Sequence, residues 1–218
     1  MLFLSVGAAE AQHLRVDAGG GWAFPTNNLT LQSEGPVTLS TPDGGMVQGR
    51  LEQDVDLNSG THVYAGLGFV RSIGENFDLG VRLRAHQTNL RSSVDCQFDS
   101  DCGEPSGTLR AGTIEGRVIL TYPGWIEPYL LVGLGVVHTS VDGVTLRNVP
   151  DPVQENTVPF SDVSIVDAGG DVGLGATIPL AGGLALDAEI RVAGSLPGGK
   201  DNTVTVAPFT LGLAYSFE

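Results

Sequence analysis

Few residues in this chain combine types and spacing that could do chemistry. His138 and Ser140 stand two apart, and a histidine beside a serine can serve as base and nucleophile. His62 and His86 are two imidazoles that could share a transition metal, but no third ligand is in view, so they are read as lining residues. The acidic patch Asp95, Asp99, Asp101 and Glu104 could attract Ca²⁺, yet it lacks the spacing of an EF-hand loop. The doublets Gly66-Leu67-Gly68, Gly133-Leu134-Gly135 and Gly173-Leu174-Gly175 lack the third glycine and the helix of a dinucleotide motif. No metal and no cofactor is expected. More numerous are charged residues spaced two apart: Arg15 and Asp17, Arg82 and Arg84, Glu115 and Arg117, Asp187, Glu189 and Arg191. Such pairs invite ion pairing on one face of an extended strand.

Composition narrows what can hold them. The 218 residues include 31 glycines, and 25 acids face 11 bases for a net charge of −14. That balance excludes a nucleic-acid partner, which would need a basic stripe. The abundance of Val, Leu and Ala excludes an acidic disordered chain. Uncharged stretches such as Val172 to Leu186, which contains Pro179 and four glycines, are too short and broken for a helical membrane span.

The positioning elements are strands, because period two recurs where period 3.6 does not. The expected strands are His13 to Phe24, His62 to Arg71, Phe77 to Gln87, Arg110 to Tyr122, Pro128 to His138, Val166 to Ile178, Leu184 to Val192 and Phe209 to Phe217, eight in all. Their connections alternate. Long polar segments cover about 25–60, 88–107, 139–162 and 194–202; tight turns fall at 72–76, 123–125 and 179–183. Long loops at one end and short turns at the other suit a closed membrane barrel. Strands with so complete an apolar face must pair every backbone group in lipid, which requires closure.

The other face carries Arg15, Asp17, Asp78, Arg82, Arg84, Arg110, Glu115, Arg117, Asp167, Asp171, Asp187, Glu189 and Arg191. Hairpins centred on the tight turns place glycines opposite several of these: Gly66 opposite Arg82, Gly133 opposite Glu115, Gly173 opposite Glu189 and Gly175 opposite Asp187. The same construction sets Tyr64 opposite Arg84, His62 opposite His86 and Asp171 opposite Arg191. Glycine weakens a strand, so this arrangement points to a crowded interior where small makes room for large. The expectation is a lumen filled by an Arg–Asp/Glu network with no wide channel. Phe69, Phe77, Tyr122 and Trp125 are expected in an aromatic belt near the short turns, and Trp22 and Phe24 in one near the long loops.

Three segments carry a family resemblance: VDAGGGWAFP at 16–25, WIEPYLLVGLGV at 125–136 and FTLGLAYSF at 209–217. With them the chain resembles the eight-stranded outer-membrane β-barrel family of Gram-negative bacteria, the OmpA/OmpX type. The resemblance implies an all-β, closed, antiparallel up-and-down barrel over residues 12–218, with four long external loops and three short periplasmic turns. It implies that alternating Phe209, Leu211, Leu213, Tyr215 and Phe217 form the signal read by the barrel-assembly machinery, although Glu218 follows the terminal aromatic that members usually end on. It also implies outer-membrane lipid and lipopolysaccharide as surroundings, and an external loop partner of unknown identity.

Residues 1–11 read as the remnant of a signal peptide, with a small-x-small end at Ala9-Glu10-Ala11. In an exported protein Cys96 and Cys102 read as a small disulfide-closed loop. The expected role is a structural or surface-interaction barrel and not an enzyme. Two alternatives stand beside it. His138 and Ser140 resemble the His-x-Ser of outer-membrane lipid A deacylases, which implies a lipid A hydrolase. The second is a narrow pore.

Overall fold

Alternating apolar and polar residues form strands throughout the computed structural model, which describes residues 12–93, 105–121, 125–147, 153, 157–196 and 204–217. In chain order these are β1 (Gln12–Pro25), β2 (Leu29–Gln32), β3 (Val37–Ser40), β4 (Met46–Gly49), β5 (Glu52–Ser72), β6 (Phe77–Ser93), β7 (Ser106–Leu120), β8 (Glu127–Val141), β9 (Thr145–Arg147), β10 (Thr157–Pro159), β11 (Val163–Pro179), β12 (Leu184–Ser195) and β13 (Val206–Phe217). Eight of them close a ring in the order β1-β5-β6-β7-β8-β11-β12-β13, with β1 paired antiparallel to both β5 and β13. This is the expected eight-stranded up-and-down barrel. The signal remnant at 1–11, Cys96, Cys102 and Tyr122 lie outside the described residues.

Registers agree with expectation in one hairpin and differ in two. Glu115 does stand opposite Gly133. Gly66, however, faces Arg84 instead of Arg82, Tyr64 faces His86, and His62 faces Thr88. Likewise Gly173 faces Arg191, Gly175 faces Glu189, Thr177 faces Asp187, and Asp171 faces Ala193. Each turn is centred one residue later than the sequence suggests. Ile73 N–H donates to the Phe77 carbonyl at 3.0 Å, and Leu180 N–H to that of Leu184 at 2.8 Å. Gly182 and Gly183 take φ of 64° and 79° in the second turn, a region open to glycine at little cost. A shift of one residue in the turn moves the pairing by two, so every side chain keeps its face.

Arg110 is a correction of a different kind. It was expected on the inner face, but β7 alternates without a break, with Leu109, Ala111, Thr113, Glu115, Arg117 and Ile119 buried inside. Arg110 therefore shares the outer wall with Gly112 and Ile114 and is exposed.

The long polar segments also differ from expectation. The ring strands run on past the apolar band, and the connections carry strands of their own. A bulge between Asn58 and Thr61 of β5 shifts the register by one residue. It inverts the alternation, so that Val55 and Leu57 point inward above it while His62 and Tyr64 do so below. β2 pairs with this upper part of β5, Leu29 opposite Val55. The β3–β4 hairpin and the β9–β10 ribbon are stitched together through bridges at Ser33–Phe160 and Leu39–Val153. Together they close over the long-loop end as a cap.

Candidate functional site

Two buried fillings occupy the interior. Toward the short turns lie five arginines (Arg15, Arg82, Arg84, Arg117, Arg191) and five acids (Asp17, Glu115, Asp171, Asp187, Glu189), all buried. The fully buried charges balance, with Arg110 outside and Asp78 and Asp167 only half-buried. Glu189 is the hub. Its carboxylate accepts from Arg84 Nη1 at 2.9 Å, Arg191 Nε at 2.7 Å and the Tyr129 hydroxyl at 3.1 Å. Arg82 Nη2 reaches it at 3.3 Å and Arg117 Nη2 at 3.6 Å. Glu115 is the second junction, accepting from Arg82 Nε at 2.9 Å and Arg191 Nη1 at 2.8 Å. Arg82 donates onward to Asp17 at 2.8 Å, and Arg191 to Asp171 at 3.1 Å. Toward the short turns, Asp187 receives Arg15 at 2.7 Å and the Thr177 hydroxyl at 2.6 Å.

Each group is buried only because others neutralise it. An unpaired charge at such a depth costs several kcal/mol, on the order of the whole stability of a domain. Arginine suits the task, since its planar fork serves two or three carboxylates at once where an ammonium acts as a point charge. Two tyrosines complete the packing. The Arg84 guanidinium lies 3.6 Å over the Tyr64 ring and that of Arg117 lies 3.9 Å over Tyr129. The glycines make the space. A Cβ on Gly66 would run into Asp17 and Arg82, and one on Gly133 into Asp171 and Glu115.

The structure thus brings together ten of the expected lumen residues. Asp78 and Asp167 are on the inner face as expected but only half-buried, one at each end of the charged tier. Asp167 accepts from the Ala168 N–H at 2.8 Å. Tyr64, which the sequence sets opposite Arg84, is a further member. Tyr129, Thr113 and Thr177 are members that the sequence does not announce, although Tyr129 shares its parity with Gly133.

Toward the long loops the filling changes to hydrocarbon. Ala23, Leu29, Leu31, Val55, Leu57, Leu90 and Leu109 pack with Val137, Val141, Val158, Phe160 and Val206 in one buried cluster. It spans the barrel mouth and the cap. At the junction of the two tiers His62 Nδ1 and the Thr88 hydroxyl are 2.7 Å apart, and the rings of His62 and His86 are centred 5.2 Å apart. Among the described residues no group of three potential ligands gathers there.

His138 is on the outer wall, where Nε2 meets the Ser164 hydroxyl at 3.1 Å. Ser140 stands directly across from Ser164 in the ladder. No carboxylate among the described residues bonds to His138, and Glu155 lies outside them. On β13 Phe209, Leu211, Leu213, Tyr215 and Phe217 all point outward and are exposed, the last two rings packed edge to face at 4.8 Å. Phe69, Phe77 and Trp125 are exposed toward the short turns, Trp22 and Phe24 toward the long loops.

This geometry has known counterparts. A family model described as "Outer membrane protein beta-barrel domain" matches residues 1–217. Among solved structures the chain is similar to Neisserial surface protein A, at 15% identity and a TM-score of 0.51, covering 95% of this chain and 100% of that one. It is similar also to OprG of Pseudomonas aeruginosa, at 16% identity and a TM-score of 0.50, covering 96% and 97%. At these identities the likeness concerns the fold. By sequence comparison no curated protein matches the chain.

Proposed function

The chain belongs to the outer-membrane β-barrel family, and from that premise we propose that it is a sealed anchor displaying a rigid acidic cap outside the cell. The observation that carries the reading is the double closure of the interior, with paired ions below and a hydrocarbon cap above. A barrel that conducts needs an aqueous path through both, so the pore alternative loses ground. The cap is held by its own apolar core and its ladders, and its outer surface carries charge. Glu34, Asp43, Glu52, Asp54, Asp56, Asp142 and Asp162 are exposed against Arg50, Arg91 and Arg147. Glu52, Asp54 and Asp56 alternate outward along one strand edge, with Asp54 fixed by the Thr30 hydroxyl at 2.8 Å and Glu52 by Gln32 at 3.1 Å. A rigid surface of this sign favours partners bearing positive charge, which it attracts over about 10 Å at ordinary salt.

The test uses the folded full-length protein and a labelled oligolysine peptide. Binding should weaken as salt rises and weaken further in the triple variant Glu52→Gln, Asp54→Asn, Asp56→Asn. Unchanged binding in that variant would remove the cap edge from the account. The hydrolase alternative keeps one supporting contact, that of His138 with Ser164. Mass spectrometry of lipid A from cells expressing the wild type, Ser140→Ala or Ser164→Ala decides it; identical acylation in all three ends it.

A further inference from the structure

The misplaced arginine opens a site of its own. On the outer wall, the ladder arranges side chains in layers that run across the tilted strands. One layer runs Leu67, Leu83, Ile114, Leu134 and is bulky; the next toward the long loops runs Ala65, Ala85, Gly112, Val136 and is small. Above it stand Gln87, Arg110 and His138, each directly opposite the next. The small layer leaves a groove. Two shallow, open hollows of about 630 and 620 Å³ share Ala65, Ala85, Gly112 and Val136 as walls. The upper one ends at Gln87, Arg110 and His138.

Folding does not require this groove. A Cβ on Gly112 would meet nothing within 4 Å, whereas the lumen glycines would collide with their neighbours. Nor do the described residues neutralise Arg110. No carboxylate among the described residues pairs with it, although the chain carries 25 acids. It is the only charged side chain on the outer walls of β6, β7 and β8 between their short-turn ends and this layer. Ten residues of β7 separate it from Leu120. At roughly 3.3 Å per residue and a tilt of about 40°, that is about 25 Å of height, the thickness of the apolar band of such barrels. Arg110 therefore lies at headgroup depth, directly above a groove that runs down into the acyl region.

We propose that this groove is a binding site for a phosphate-bearing acylated lipid of the outer leaflet, with the phosphate on Arg110 and an acyl chain against Ala65, Ala85 and Gly112. Arginine's fork is suited to phosphate, and Gln87 and the imidazole of His138 flank it on the neighbouring strands. The occupant is a lipid and not a free anion, because the walls below the arginine are hydrocarbon. The inference rests on the membrane placement of the barrel but not on the role of the cap.

The experiment is native mass spectrometry of the detergent-folded full chain, titrated with diphosphoryl lipid A, dephosphorylated lipid A, phosphatidylethanolamine and inorganic phosphate. Wild type should retain diphosphoryl lipid A at least about tenfold better than the dephosphorylated form, the worth of one charge-assisted contact. Arg110→Gln should erase that preference while still binding acylated lipid. Gly112→Leu, whose Cβ meets no atom within 4 Å, should fill the groove and weaken both lipid A forms. Gel mobility before and after boiling checks that each variant is folded. A wild type without a folded, heat-modifiable form would defeat the membrane premise itself. Folded Arg110→Gln and Gly112→Leu proteins that bind diphosphoryl lipid A like wild type would overturn the site. So would inorganic phosphate binding as well as the lipid, since that would make the arginine a simple anion site.

Discussion

The two halves of the barrel solve one packing problem with opposite chemistry. In the short-turn half the lumen is filled by long charged side chains that must pair; in the long-loop half it is filled by Leu, Val and Phe. The ionic half is built wholly from ring strands, with ions at a spacing of two on β1, β6, β7 and β12 and Asp171 from β11. The apolar half draws on the connections, with Leu29 and Leu31 from β2, Val158 from β10 and Phe160 beyond it meeting Leu109 and Val137 of the ring. The ionic filling fixes the register of the ring, because each arginine must reach partners on other strands. The apolar filling is less directional and instead fixes the loops.

Breaking the ionic half should have the larger effect. Glu189→Ala takes a shared carboxylate from four buried arginines, and we expect a loss of about 3–5 kcal/mol, read as denaturant unfolding of the protein in lipid vesicles. Leu31→Ala in the apolar half should cost about 2–3 kcal/mol, since the cap can relax around the space. Its signature is different, too. Limited proteolysis should cut the cap in that variant while the ring keeps its heat-modifiable mobility. Gly66→Ala sharpens the contrast within the ionic half, because its methyl group pushes Asp17 away from Arg82; about 1–2 kcal/mol is expected in the same unfolding assay. Arg110→Gln belongs to neither filling and should change stability by less than about 0.5 kcal/mol, leaving its effect to lipid binding.

The ionic half was the legible one. Period two, turn positions and the pairing of glycine with long side chains all act locally, so Arg82, Glu115, Glu189 and Arg191 could be placed together from spacing alone. Turn centres were off by one residue, because PLAGG and SIGEN admit more than one geometry, yet the two-residue shift preserved each face. Arg110 went astray in a stretch where Leu109 and Ala111 looked out of phase. They are the floor of the apolar half, which the strand pattern of the ring does not announce. The cap itself has the composition of polar loop. Its core joins segments more than 100 residues apart, and the bulge near Gly60 inverts the alternation that would have tied β5 to it.

The central claim is that both fillings together close the barrel. Planar-bilayer recording of the purified full-length protein tests it most directly. The account predicts a current no different from the bare bilayer, with no discrete steps, at any voltage the bilayer withstands. Stable, voltage-proportional conductance steps from the wild-type protein would contradict it.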